Sequence, residues 1–276
     1  QVRSIESGER WVGTLRFSRD GAHLTSIGAD NEIKVWATGT GRCVNAVPVP
    51  RAHKTVFSDD GRLALVAHGV EGSIRLWDVF TGECRRVLPG PFPVRGLWID
   101  AESRRCLSAD TGSHRDPHSK EPAQIRLWDL TDGRCLLTLR PGTKEVESVC
   151  MTPDGLHVLA GGSPEPPPAD SGGPWLNRIF MWDALTGELV RTFDPVPLGA
   201  GRLQVTPDGR FAISAGSRPE ANIWDIATGR CVRVLEEHKG GASEIAFTPA
   251  GTCVLTSDAE YELRVWELDW ELAADG

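Results

Sequence analysis

Apolar and polar positions alternate along this chain in the same order several times over. Paired runs are TLRFSRDGAHLTSIG from Thr14, TVFSDDGRLALVA from Thr55, SVCMTPDGLHVLAG from Ser148, LQVTPDGRFAISAG from Leu203 and EIAFTPAGTCVLTS from Glu244. A period of two over such short stretches predicts half-buried β-strands. Between the paired runs fall Asp20-Gly21, Asp60-Gly61, Asp154-Gly155 and Asp208-Gly209. Asp-Gly at that place predicts a hairpin, because the turn needs a positive φ that glycine adopts without steric cost. A third run follows, then a turn and a fourth: GTGRCVNAV, FTGECRRVL, TDGRCLLTL, LTGELVRTF and ATGRCVRVL. Each unit therefore reads as four strands, here called a, b, c and d.

The third run ends each time in tryptophan: Trp36, Trp77, Trp128, Trp182, Trp224 and Trp266, spaced 41, 51, 54, 42 and 42 residues apart. A period of about 40–45 residues with a Trp-Asp ending predicts a β-propeller with one four-stranded blade per repeat. The whole chain, 1–276, is expected to form one domain, with blades near 11–47, 51–88, 94–139, 146–193, 201–235 and 242–268. VRSIES at the start matches a strand d such as VRVLEE at 232–237, while the sixth repeat stops after strand c. Residues 2–6 should therefore pair with Leu263–Trp266 and close the last blade, removing open sheet edges. The alternatives are a seven-bladed or a truncated propeller.

These motifs resemble the WD40 repeat family, over nearly all of the chain. The resemblance implies a tetrad of His before strand a, Ser or Thr in strand b, Asp in the b–c turn and Trp in strand c. Ser26, Asp30 and Trp36 match in repeat 1, without a His; His238, Thr256 and Trp266 match in repeat 6, with Glu260 where Asp is expected; repeat 5 keeps Ser214 and Trp224. The ending LRVWELDWEL is similar to WD40 segments attached to bacterial serine/threonine protein kinases.

Composition narrows the partner. The formal charge of −8 is not the basic footprint of a nucleic-acid binder and permits a basic peptide. Arginine far outnumbers lysine, a coding bias of some bacteria. No apolar run approaches the roughly 18 residues of a membrane span and no signal peptide opens the chain. A start at Gln1 suggests a piece of a longer protein. Cys43, Cys84, Cys135 and Cys231 share one repeat position, so they are expected to be unpaired, partly buried strand residues in a reducing, cytoplasmic setting. No metal site and no cofactor are expected.

Three motifs invite chemistry. His114-Arg115-Asp116 spells a kinase catalytic tripeptide, but Glu121 stands where that motif needs Asn, so a polar loop is the better reading. Asp78, Asp129, Asp183 and Asp225 follow the tryptophans and are expected to cap the next turn rather than form a carboxylate ring. The insertion GSPEPPPADSGGPWLN carries Trp175 outside the repeat, either folded back onto the neighbouring blade or offered as an aromatic contact to a partner.

A non-catalytic propeller that binds a protein or peptide, as a monomeric domain, is the expected function. A propeller enzyme with its site at the channel mouth is the alternative. In this architecture the d–a and b–c connections share one face. Both insertions, 110–124 and 162–177, fall in b–c connections. The residues just before strand a, Trp11, Arg51, Phe92 and Lys144, reach that face, and Arg218 and Tyr261 reach it from b–c turns. Aromatics and arginine are the residue types enriched in binding hot spots. The expected partner site centres on Trp11, Arg51 and Phe92 and is bordered by Trp175.

Overall fold

The computed structural model describes residues 5, 12–69, 72–90, 94–110, 122–143, 145–162, 176–197, 201–236, 238–248, 251–258, 260 and 262–268. Every regular element among them is a β-strand, and each main sheet is an antiparallel meander. The chain divides into two compact units, Gln1–Thr111 with Arg126–Thr138, and Gly112–Ile125 with Leu139–Gly276.

Unit 1 carries three blades. Blade 1 runs β1 (Val12–Phe17), β2 (His23–Gly28), β3 (Glu32–Ala37) and β4 (Arg42–Pro48). Blade 2 runs β5 (Ala52–Phe57), β6 (Leu63–His68), β7 (Ser73–Asp78) and β8 (Cys84–Pro89). Blade 3 runs β9 (Val94–Ile99), β10 (Arg105–Asp110), β11 (Ile125–Asp129) and β12 (Cys135–Leu139). Unit 2 carries blade 4, with β13 (Val146–Met151), β14 (His157–Gly162), β16 (Ile179–Asp183) and β17 (Leu189–Thr192), and blade 5, with β19 (Arg202–Val205), β20 (Phe211–Ala215), β21 (Ala221–Asp225) and β22 (Cys231–Leu235). Blade 6 has three described strands, β23 (Ala242–Phe247), β24 (Cys253–Asp258) and β25 (Leu263–Glu267). The expected closing strand lies outside the described residues, except for Ile5. A two-stranded ribbon that the repeat pattern does not predict, β15 (Leu176–Asn177) with β18 (Val196–Pro197), ties the root of the second insertion to the linker after blade 4.

Turn chemistry makes these elements. Gly21 donates its N–H to the Ser18 carbonyl at φ 68°, and Ser58–Gly61, Thr152–Gly155 and Thr206–Gly209 repeat the bond. The Asp before each glycine accepts the N–H two residues on, as Asp20 does from Ala22. Blade 3 lacks Asp-Gly. There Ser103 takes the positive φ, at 55°, and Asp100 accepts the amides of Arg104 and Arg105.

Aliphatic strands pack blade on blade. Ile33 and Val35 of β3 meet Phe57, Ala64 and Val66 of blade 2. Ile74 and Leu76 of β7 meet Leu97 and Cys106 of blade 3. In unit 2, Ile223 packs with Ile245 and Val254 of blade 6. In each of these three seams the residue before the strand-c tryptophan, and the one two before that, pack in one cluster with the next blade.

Candidate interaction surface

The strand-c tryptophans fix each blade internally. Trp36, Trp128, Trp224 and Trp266 donate their indole N–H to Ser26, Ser108, Ser214 and Thr256 at 2.8, 2.9, 2.9 and 2.8 Å. Ser108 was not apparent from spacing, because the insertion puts it twenty residues before its tryptophan. In blade 2 the ladder aligns Val66 with the Ser26 position, so the buried Trp77 Nε1 has no acceptor. In blade 4 the same place holds Ala160, and Trp182 packs against Phe180.

Blade 6 holds the fullest network. His238 Nε2 lies 2.6 Å from Thr256 Oγ1, and His238 Nδ1 lies 3.3 Å from Asp258 Oδ2. Assigned from these partners, Trp266 donates to Thr256, Thr256 to His238, and His238 to Asp258. The carboxylate of this network is therefore Asp258, not Glu260 as expected. Asp258 ends β24 beside the imidazole and accepts the amides of Glu260 and Glu262, whereas Glu260 lies exposed in the turn beyond. Burial, the largest influence on Asp258, opposes its ionisation, but the Glu262 amide, His238 and further amides together hold its carboxyl below the usual range. In blade 1, Asp30 accepts the Glu32 amide and the Lys34 ammonium.

The Asp residues after the tryptophans do cap the following turns. Asp78 accepts the amides of Phe80 and Thr81, Asp129 that of Thr131, Asp183 those of Leu185 and Thr186, and Asp225 that of Thr228. The cysteines depart from expectation. All seven are free, as expected, but Cys43 and Cys135 are exposed rather than partly buried. Strand d is the last strand of its sheet, so little covers it. Each repeat thiol instead donates to the carbonyl two residues on, as Cys43 does to Asn45 at 3.2 Å.

The connections sort onto two ends of the blades. At one end, the residue that leaves strand c donates to the a–b turn: Thr38 to Ala22, Val79 to Arg62, Leu130 to Arg104, Ala184 to Leu156, Ile226 to Arg210 and Leu268 to Thr252. At the other end, b–c turns meet d–a linkers. Val49 donates to the Asn31 carbonyl, His68 Nδ1 lies 3.0 Å from the Pro50 carbonyl, Ala123 donates to Thr143, and Ala242 to Arg218. Gly90 passes so close to the Gly72 carbonyl that a Cβ would collide with it. Within each unit, the b–c and d–a connections therefore share one end, as the sequence implied.

Two of the expected contact residues are described on that end. Arg51 is exposed in unit 1, held at φ 62° in a turn closed by Ala52 N–H to the Val49 carbonyl. Its turn is pinned on one side by Asn31 and on the other by His68. Arg218 is exposed in unit 2, in a b–c turn pinned through its own carbonyl. Trp11, Phe92, Lys144, Trp175 and Tyr261 lie outside the described residues, as do His114–Asp116 and most of both insertions. Among the described residues no group of three or more His, Cys, Asp or Glu could hold a metal ion, and no helix is long and apolar enough to cross a membrane.

A family model described as WD domain, G-beta repeat matches residues 1–37 and 229–267. The fold is a six-bladed β-propeller, similar over those residues to WD40 repeats. The first matched segment takes in β1 to β3 and ends just after Trp36, and the second runs from β22 through β25, which carries Trp266. No curated protein matches the propeller in sequence. WD40 propellers are in general non-catalytic scaffolds for protein interactions.

Proposed function

We propose that this propeller is a protein- or peptide-binding scaffold that reads its partner on the end where b–c turns and d–a linkers meet. The observation that carries this is Arg51. An exposed arginine on a turn pinned from both sides loses little freedom on binding, and arginine is a recurrent hot-spot residue. Its left-handed φ of 62° costs roughly 1–2 kcal/mol for a non-glycine residue, and strain of that kind concentrates at functional positions. In unit 1 the contact residues are Trp11, Arg51 and Phe92; in unit 2 they are Lys144, Trp175, Arg218 and Tyr261. The context is a bacterial signalling protein of the kinase-linked type, a reading supported by the ending LRVWELDWEL.

The test is a displayed peptide library panned on the wild-type chain, with the selected peptides measured by calorimetry. Arg51→Ala and the pair Trp11→Ala with Phe92→Ala should each weaken binding at least tenfold while the thermal midpoint holds. Peptides that bind these variants as tightly as wild type would place the site elsewhere.

A further inference from the structure

Blades 2 and 3 of unit 1 gather unmatched donor side chains at one end. The pairing of strand a with strand b slips by one residue at His53 in blade 2 and at Arg95 in blade 3, and both of these residues are exposed. A bulge of this kind re-aims the side chain of its extra residue. β5 and β9 lie side by side, so the two bulges sit on neighbouring strands. Unit 2 shows the reach between such places. Glu147 is the bulged residue of blade 4, and its Oε2 lies 3.0 Å from where a Cβ on Gly201, the matching residue of blade 5, would stand. A Cβ on Gly69, where the b–c turn begins, would lie 3.4 Å from His53 Cβ. The bulges therefore belong to the same end as Arg51.

Arg51, His53 and Arg95 have no ion-pair partner among the described residues. Two acids of that end are matched, Asp30 by Lys34 and Asp110 by Arg126. Glu32 starts strand c of blade 1, two strands out from strand a. Gly13 holds the bulge in blade 1, and Glu147 and Ser243 hold it in blades 4 and 6, so the donor pair is particular to blades 2 and 3. Guanidinium groups present a planar fork of N–H donors that fits the paired oxygens of a carboxylate or a phosphate.

We propose that the segment read by unit 1 is acidic, its carboxylate or phosphate oxygens seated on Arg51, His53 and Arg95. This rests on the reading of that end as the partner site and names the chemistry it takes. The whole-chain charge of −8 permits a basic peptide, but a docking segment meets the local field of the patch. Three side chains suit a short acidic stretch of protein, whereas a nucleic-acid backbone calls for a longer basic stripe.

Random peptides displayed on phage, panned on the wild-type chain and separately on Arg95→Glu, test it. The wild type should select peptides rich in Asp and Glu. Those peptides should lose roughly tenfold or more in affinity on Arg95→Ala or His53→Ala, and more on Arg95→Glu, while the thermal midpoint holds. Added salt should weaken the wild-type complex, and Arg95→Glu should select neutral or basic peptides instead. Phosphoserine in place of a contacting Glu separates the two oxygen sources: tighter binding assigns phosphate and weaker binding assigns carboxylate. A single-stranded oligonucleotide should not displace the peptide, and one that does overturns the proposal. Neutral or basic peptides from the wild type, or acidic ones that bind Arg95→Glu undiminished, overturn it too. Selected peptides that need Arg51 but are not acidic defeat this inference alone. Peptides indifferent to Arg51, Trp11 and Phe92 defeat the partner site with it.

Discussion

Thr256→Val in blade 6 isolates the worth of one hydroxyl. Thr256 is fully buried, and valine has nearly its shape, so no cavity opens. What changes is polar bookkeeping. The Trp266 indole N–H at 2.8 Å and the His238 imidazole at 2.6 Å lose their shared partner. A buried polar group left unsatisfied costs about 1–3 kcal/mol. Trp266 is half-buried and can recover part of its loss from water, so the expected total is about 2–4 kcal/mol. For a chain of this length that is a fall in thermal midpoint of roughly 3–7 °C. Differential scanning calorimetry reads the midpoint, and urea unfolding followed by tryptophan fluorescence reads the free energy. Thr256→Ser keeps the hydroxyl and should lose only about 1 kcal/mol for the methyl group. Ser214→Ala in blade 5 removes the acceptor of the Trp224 indole N–H and should cost less than Thr256→Val. Trp266→Phe combined with Thr256→Val should cost less than the sum of the two alone, because they share one bond. A Thr256→Val protein within about 0.5 kcal/mol of wild type, the ordinary scatter of surface substitutions, would refute the network reading.

Three further outcomes are expected. Val66→Thr places a hydroxyl where Ser26 stands in blade 1 and gives Trp77 Nε1 an acceptor; chemical denaturation should show a change between neutral and about 1 kcal/mol stabilising, and a loss above 1 kcal/mol would mean the indole cannot reach it. Gly90→Ala drives a Cβ into the Gly72 carbonyl and should cost about 1–3 kcal/mol by overpacking, read as a lower melting midpoint, while Gly21→Ala meets no neighbour and suffers only from its positive φ. Acid should destabilise through the carboxylates whose folded pKa is depressed: Asp78, where burial opposes but the Thr81 and Phe80 amides and Arg85 prevail, Asp183, held by the Thr186 and Leu185 amides, and Asp258. Because the folded values lie below the unfolded value near 3.8, their contribution is full above about pH 4 and lost as pH falls through the folded values; melting midpoints scanned from pH 7 to 2 should fall mainly below 4, and Asp78→Asn should flatten that fall.

Local chemistry decides the strands and turns, so they were legible in the sequence. Asp-Gly positions, strand alternation and the Trp-Asp caps each act within a few residues, and the structure shows the hydrogen bonds they imply. Six repeated sheets and the sharing of one blade end by b–c turns and d–a linkers follow from the same pattern. Register across strands was less legible. A turn one residue longer in blade 2 moves the hydroxyl place onto Val66, and the insertion in blade 3 hides Ser108 from any fixed spacing. Asp258 displaced Glu260 for the same reason, although hydroxyl–x–Asp, present at Ser108–Asp110 and Thr256–Asp258, is a signal that could have found it. Exposure was decided by tertiary packing alone. Cys43 and Cys135 lie exposed because they sit on strand d, the last strand of its sheet. Alternation in a strand says which side chains share a face, and only the neighbouring sheet says whether that face is covered.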